Sequence, residues 1–338
     1  MNTKVEKIYI IAEAGVNHNG SLEEAINLCQ IAKEAGADAV KFQTCKSEEL
    51  VIKRARQANY QKLNTGINQS QYQMLKELEL SYRHFHILKE FCDSIEIDFL
   101  STPDELTSLK FLVNNLGIST IKIGSGEVAN IPYLKEISKI AKKVILSTGM
   151  HSIEEVSNSV SIFKNNPNID LTLLQCTSSY PCPYEAINLK VMNTYSELFN
   201  CKVGFSDHSI GITASLLAAC SGASIIEKHF TKDKNQKGPD HFFSLEPNEL
   251  KEMVNAIRLI PTIFGSNEKK IQDCERDARF TATKVIVAKK EIKKEQIFDS
   301  SNISLMRAGA SGLNGTNWDS LIGTKSSKDY SKGDVIQN

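Results

Sequence analysis

The chain has 338 residues, is 41% hydrophobic, and carries 40 basic against 40 acidic side chains. A core of ordinary size is available, and zero formal charge argues against nucleic acid or an anionic membrane as the main partner. Eight cysteines are scattered without a CxxC pair. Reduced, mostly buried thiols are expected rather than a disulfide scaffold or a metal cluster.

The first apolar run, Ile8–Ala12, is broken by Glu13, Asn17 and His18, and no small-residue cleavage site follows it. The longest apolar stretch, Ile212–Cys220, contains Thr and Ser and is far shorter than the roughly 20 residues that span a bilayer. A cytoplasmic protein is expected.

Strand and helix patterns then alternate along the chain. Ile8–Ala12 runs into Glu13 and is followed by a helical pattern at Leu22–Glu34, with Ser21 and Glu24 as a capping box and Gly36 as its stop. Ala39–Phe42 carries Lys41 and Gln43. A long polar and aromatic connection from Lys46 to about Leu80 reads as a functional loop. Helix Tyr82–Ser94 precedes Ile97–Leu100, which ends in Ser101 and Thr102, and helix Glu105–Leu116 precedes Thr120–Ile123, which carries Lys122 and opens into Gly124-Ser125-Gly126-Glu127. Helix Ile131–Ala141 leads to Val144–Leu146 with Ser147 and Thr148; helix Ile153–Phe163 leads to Leu171–Leu174 with Gln175 and Thr177. Val203–Phe205 meets Ser206 and His208; helix Ala214–Ser221 leads to Ser224–Ile226 with Glu227, Lys228 and His229; helix Pro247–Ile260 follows.

Eight strands alternating with helices predict a parallel sheet closed into a (β/α)8 TIM barrel over residues 1–265. Polar groups at the carboxyl ends of successive strands are how such a barrel builds an active site, so the pattern predicts an enzyme. Residues 266–280 read as a charged linker. Residues 281–338, with short β-rich runs at Thr283–Ala288, Ile303–Met306, Leu321–Lys325 and Val335–Ile336, read as a small β-rich domain.

Three groupings of these residues carry chemistry. His208 and His229 follow two consecutive strands and would converge on the barrel mouth, which suits a divalent Mn²⁺ or Mg²⁺ with open positions better than four-ligand structural zinc. Asp207 is a spare ligand by position, but strand alternation points it away from both. Lys41 and Lys122, with Ser125 between Gly124 and Gly126, and with Ser147 and Ser206, form a phosphate cradle of amides, hydroxyls and charge. Glu13 and Glu127 are candidate acid–base groups; a structural ion pair with the lysines is as good a reading for Glu13, whereas the flexible turn before Glu127 favours function. Cys176 has no neighbouring base in sequence.

The stretches IIAEAGVNHNGS (Ile10–Ser21), GADAVKFQT (Gly36–Thr44), KIGSGE (Lys122–Glu127), LSTGM (Leu146–Met150), GFSDHSIG (Gly204–Gly211), EKHFT (Glu227–Thr231) and GPDH (Gly238–His241) resemble the sialic acid synthase family over nearly the whole chain. The tail resembles that family's antifreeze-like (SAF) domain. The resemblance implies condensation of phosphoenolpyruvate with an N-acylated mannosamine-type sugar, giving a nine-carbon 2-keto acid such as N-acetylneuraminate, and phosphate. It implies His208 and His229 as metal ligands, and Glu127, Glu13 and Lys122 as catalytic groups. Lys41, Gln43, Thr102, Ser125, Ser147 and Ser206 would surround phosphoenolpyruvate, and Asn59, Tyr180 and Asp240 the sugar. It further implies a domain-swapped homodimer in which Arg307 reaches the partner's sugar site.

Two departures stand out. Relatives commonly carry Arg-Pro-Gly-Asn-Gly where this chain has Arg307-Ala308-Gly309-Ala310-Ser311-Gly312, and an aromatic where it has Asp104. Asp104 either changes the sugar pocket or sits harmlessly at a helix N-terminus, where Asp is favoured. KIGSGE separates the chain from the pseudaminic acid branch. It leaves N-acetylmannosamine and 2,4-diacetamido-2,4,6-trideoxymannose, the acceptor for N,N'-diacetyllegionaminate, both open. The rivals are an aldolase that uses free pyruvate, either metal-dependent or of the Schiff-base kind with Lys122 or Lys228 as its amine, and, in another class, a carbohydrate- or ice-binding protein without turnover.

Overall fold

The structure, a computed structural model, describes residues 7–337. They divide into two compact units, one ending at Phe264 and one beginning at Gly265.

The first unit is a (β/α)8 barrel. Its strands are β1 (Tyr9–Gly15), β2 (Ala39–Thr44), β3 (Asp98–Pro103), β4 (Thr120–Ile123), β5 (Lys143–Ser147), β6 (Asp170–Cys176), β7 (Lys202–Asp207) and β8 (Ile225–His229). Every paired neighbour is parallel, in the order β3-β2-β1-β8-β7-β6-β5-β4. β3 and β4 touch without a hydrogen-bonded ladder, so the sheet comes round to a nearly closed barrel.

Strand alternation sorts the side chains into two layers. Ile10, Ala12, Val40, Phe42, Phe99, Ile121, Leu146, Phe205 and Ile226 face outward into the core shared with the helices. Ile11, Ala39, Leu100, Ile145, Leu174 and Ile225 form their own cluster inside the barrel. Gly204 of β7 is part of that fit: a Cβ there would overlap the Ile225 carbonyl oxygen and lie 2.6 Å from Leu174 Cδ2.

The helix Leu22–Ala35 shows how local sequence fixes an element. Ser21 Oγ accepts the Glu24 N–H at 3.3 Å, Gly36 ends the helix at φ 83°, and Ala25, Leu28, Cys29, Ala32 and Ala35 are buried. The Glu24 carboxylate does not complete a capping box; it pairs with Lys232 at 3.3 Å. One barrel helix without a sequence expectation, Val191–Phe199, begins after Lys190 with no side-chain cap. The long connection after β2 is structured, with short helices at Ser47–Leu50, Asn59–Thr65 and Gln71–Leu78.

The second unit pairs β9 (Lys284–Ala288) antiparallel with β10 (Ile303–Arg307) over a small core of Ile286, Ala288, Ile292, Phe298, Ile303, Tyr330 and Ile336. The expected strand at Leu321–Lys325 is replaced by a helical turn, Trp318–Leu321, and a single bridge from Lys325 to Ile297. Val335 likewise makes one bridge, to Val287. The charged stretch read as linker contains the helix Arg276–Ala282.

Candidate active site

The inward layer changes character towards the carboxyl ends of the strands. Glu13 on β1, Lys41 and Gln43 on β2, Thr102 on β3, Lys122 on β4, Ser147 on β5, Cys176 on β6, Ser206 on β7, and Glu227 and His229 on β8 share the inward parity, with His208 just beyond β7. With Ser125 from the turn after β4, they line a cavity of about 400 Å³. In-register pairing sets Glu13 beside Lys41 on one side and His229 on the other.

The cavity's base is a charged ring. Lys41 Nζ lies 2.7 Å from Glu13 Oε2 and 3.6 Å from Glu227 Oε2, and it donates to Thr102 Oγ1 at 3.2 Å. Lys122 Nζ lies 3.5 Å from Glu227 Oε1 and donates to Ser147 Oγ at 2.8 Å; Ser206 Oγ donates to the same Glu227 oxygen at 2.8 Å. Sequence reasoning did not single out Glu227, yet it joins both lysines. Glu227 Oε2 takes no hydrogen bond, so that carboxylate keeps accepting capacity.

Burial costs the charged form of every group here, and neighbours decide the outcome. Burial raises the Glu13 carboxyl, Lys41 pulls it down, Glu227 pushes it up, and it ends at about 7. Burial also disfavours the Glu227 carboxylate, but Lys122, Lys41 and the Ser206 hydroxyl outweigh that and hold it at about 2. Lys41 stays above the usual lysine value because Glu13 and Glu227 overcome its burial, whereas burial dominates for Lys122 and lowers it.

Gly149, after β5, brings its N–H to Ser125 Oγ at 2.9 Å. Any Cβ there would overlap Ser178 Oγ and stand 3.0 Å from Ser125 Oγ, so the hydroxyl's position depends on this glycine.

The two histidine rings are 5.6 Å apart between centroids. His208 Nδ1 faces the Thr177 carbonyl at 2.9 Å, which fixes an N–H on that nitrogen, so the neutral ring carries its lone pair on Nε2. His229 Nδ1 is buried without a hydrogen-bond partner, and burial and His208 hold the ring well below the usual histidine value, in its neutral, ligating form. Two open imidazoles fit a divalent cation that keeps positions for water or substrate oxygen. Among the described residues no group of three or more His, Cys, Asp and Glu could hold an ion alone. Asp207 faces outward to Ser209, Ser215 and Lys228, the last at 3.1 Å, which also removes Lys228 from the cavity.

A second cavity of about 400 Å³ adjoins the first and shares Gln43, Tyr60, Asp104, Tyr180 and His229 with it. The Tyr180 ring stacks on Tyr60 at 5.0 Å and lies 4.2 Å from His208. Asp240 closes the far side, its carboxyl pushed up to about 6 by burial. The helical loop is tied down there by Asn64, whose side-chain amide donates to the Pro239 carbonyl at 2.6 Å. Six apolar side chains (Val16, Leu50, Val51, Met74, Leu75 and Leu78) complete the wall, with no Lys or Arg.

Asn59 and Glu127 are not among the residues that line these cavities, and Arg307 belongs to the second unit. Asn59 is exposed at the start of its helix; its neighbours Tyr60 and Gln61 face in. Glu127 sits at the rim on the turn Ser125–Glu127, where its carboxylate accepts from Asn130 Nδ2 at 2.6 Å. Arg307 is exposed on β10 of the second unit.

A barrel whose inner strand ends gather two buried lysines, two carboxylates and a pair of imidazoles has the strand-end polar centre of a barrel enzyme. Residues 28–269 match the NeuB family. The chain belongs to that family. The N,N'-diacetyllegionaminic acid synthase of Campylobacter jejuni is 42% identical over 335 residues, covering 98% of this chain and 100% of that protein. The N,N'-diacetyllegionaminic acid synthase of Legionella pneumophila is 42% identical, covering 97% of this chain and 93% of that protein. The crystal structure of the N-acetylneuraminic acid synthetase of Leptospira borgpetersenii, in complex with citrate, matches with TM-score 0.69 and 35% identity over 80% of this chain and 90% of that one. No helix among the described residues is long and apolar enough to cross a membrane.

Proposed function

We propose that this enzyme condenses phosphoenolpyruvate with 2,4-diacetamido-2,4,6-trideoxymannose, giving N,N'-diacetyllegionaminate and phosphate by cleavage of the C–O bond. The observation that carries this reading is the junction of two cavities of opposite character. One holds Lys41 and Lys122, as a phosphorylated carboxylate needs; the other has no cation and six apolar side chains, as two acetamido groups and a deoxy carbon need. The names of the two 42%-identical relatives point to the same product.

In this proposal Lys41, Lys122, Ser125, Ser147, Thr102, Ser206 and the amides around Gly124 and Gly126 hold the phosphate and carboxylate of phosphoenolpyruvate. Gln43, Tyr180 and Asp240 position the open-chain sugar, and Asn59 belongs to the loop that borders it. His208 Nε2 and His229 would hold Mn²⁺ or Mg²⁺, which when bound polarises the acceptor's aldehyde. The enol carbon attacks that aldehyde carbon, and the protonated Glu13 gives its proton to the oxygen as the C–C bond forms. Water then adds to the carbon bearing phosphate, and Glu127 takes a proton from it. That role requires the Glu127 carboxylate to leave Asn130 and reach in from the rim. Collapse of the tetrahedral intermediate forms the keto group, and phosphate departs with the hydroxyl proton.

We extend the proposal to the second unit as an antifreeze-like SAF domain within a domain-swapped homodimer. The exposed Arg307 has the planar donor fork that sugar hydroxyls and carboxylates suit. Eight free thiols fit a reducing, cytoplasmic setting. The chemistry is tested by labelling the bridging oxygen of phosphoenolpyruvate. Label recovered in phosphate supports C–O cleavage; label retained in the keto acid contradicts it.

A further inference from the structure

Asp104 is the one carboxylate that lines both cavities. It follows β3 with the inward parity of Leu100 and Thr102, and its backbone N–H, donated to the Thr44 carbonyl at 3.1 Å, fixes it at the seam. A helix begins just after it, so capping would be its structural employment. The structure gives that task to Glu105, whose carboxylate oxygens accept the Ser108 N–H at 3.0 and 2.9 Å. Among the described residues no side chain or backbone group hydrogen-bonds the Asp104 carboxylate, and no cation stands within 4.0 Å of it. Its surroundings oppose its charge: burial and the nearby Glu127 carboxylate raise it to about 7 against the pull of Lys41. A half-buried carboxylate without a partner costs stability, and here that cost has no structural return.

We propose that Asp104 is a specificity residue for the acceptor sugar, its carboxyl group taking a hydrogen bond from an N–H or O–H of the sugar at the seam where the two substrates meet. The inference rests on the condensation reading above and adds to it the chemistry of one contact. An acceptor with a hydrogen-bond donor at that point is selected; one presenting a methylene or an anion there is disfavoured.

The test is steady-state kinetics on the full chain with Mn²⁺, varying each substrate, for the wild type, Asp104→Leu and Asp104→Asn. Loss of a hydrogen bond to a charged group should raise the sugar's KM about tenfold or more in Asp104→Leu, with the KM for phosphoenolpyruvate held within about threefold. Asp104→Asn keeps an accepting oxygen and should recover most of the lost affinity. A sugar KM unchanged in Asp104→Leu while the wild type turns over overturns this inference alone. So does an equal rise in both KM values, or a failure of Asn to rescue a Leu variant whose melting temperature has fallen. A wild type that neither binds the sugar nor turns over overturns the condensation reading, and the inference with it.

Discussion

Lys41 Nζ stands 2.7 Å from Glu13 Oε2, and neither side chain is more than 4% exposed. A buried pair of this kind is costly to break from one side, because the carboxyl group that remains is buried without its partner. Lys41→Met should therefore destabilise the barrel by about 3 kcal/mol at neutral pH and weaken phosphoenolpyruvate binding at least about tenfold. Lys41→Met combined with Glu13→Leu should recover much of the stability and none of the binding. Denaturant unfolding and calorimetric titration separate the two; a double variant no more stable than the single one contradicts the pairing.

Asp104 gives a pH dependence with a definite sign. Its folded-state value of about 7 lies above the ordinary 3.8, so between those values the folded state binds a proton that the unfolded state does not. Stability from this group is present at low pH and declines as pH rises towards about 7. Asp104→Asn removes the decline. The gain in melting temperature of the Asn variant should be larger at about pH 8 than at about pH 5, and an equal gain at both contradicts the half-buried, unpartnered carboxylate.

His208→Ala removes the ring whose Nδ1 is anchored on Thr177 and whose Nε2 is open. Mn²⁺ binding, read from the resonance of free Mn²⁺, should disappear together with turnover, while the melting temperature of the metal-free protein changes little. Retained Mn²⁺ binding would place the ion elsewhere.

Glu127→Gln should leave phosphoenolpyruvate binding intact, since Glu127 lies outside the lining, and lower kcat about 10²–10⁴-fold, as loss of an acid–base group does. Full activity in Glu127→Gln removes this residue from the reaction.

Much of the barrel and the centre of its site are legible in the sequence because one rule places both. Each strand alternates, so a polar residue at the inward parity near its end has nowhere to go but the cavity; Glu13, Lys41, Lys122, Ser206 and His229 follow from that. Glu227 is hidden because Lys228 beside it is equally polar, and only parity with His229 separates the inward Glu227 from the outward Lys228. Glu127 escapes the rule since β4 ends at Ile123 and the following 3-10 turn resets the side-chain directions. The helix Val191–Phe199 has no capping side chain to announce it, and the helices Asn59–Thr65 and Gln71–Leu78 are too short for a clear apolar period. In the second unit the short runs at Leu321–Lys325 and Val335–Ile336 carry β-type residues but make only single bridges, a distinction set by tertiary pairing rather than local composition.

The deciding measurement is phosphate release from phosphoenolpyruvate with Mn²⁺, offering 2,4-diacetamido-2,4,6-trideoxymannose and N-acetylmannosamine in parallel. Release should require the sugar, match the keto acid formed mole for mole, and be faster with the diacetamido acceptor. Preference for N-acetylmannosamine would contradict the acceptor assignment. No sugar-dependent release with either would contradict the condensation itself.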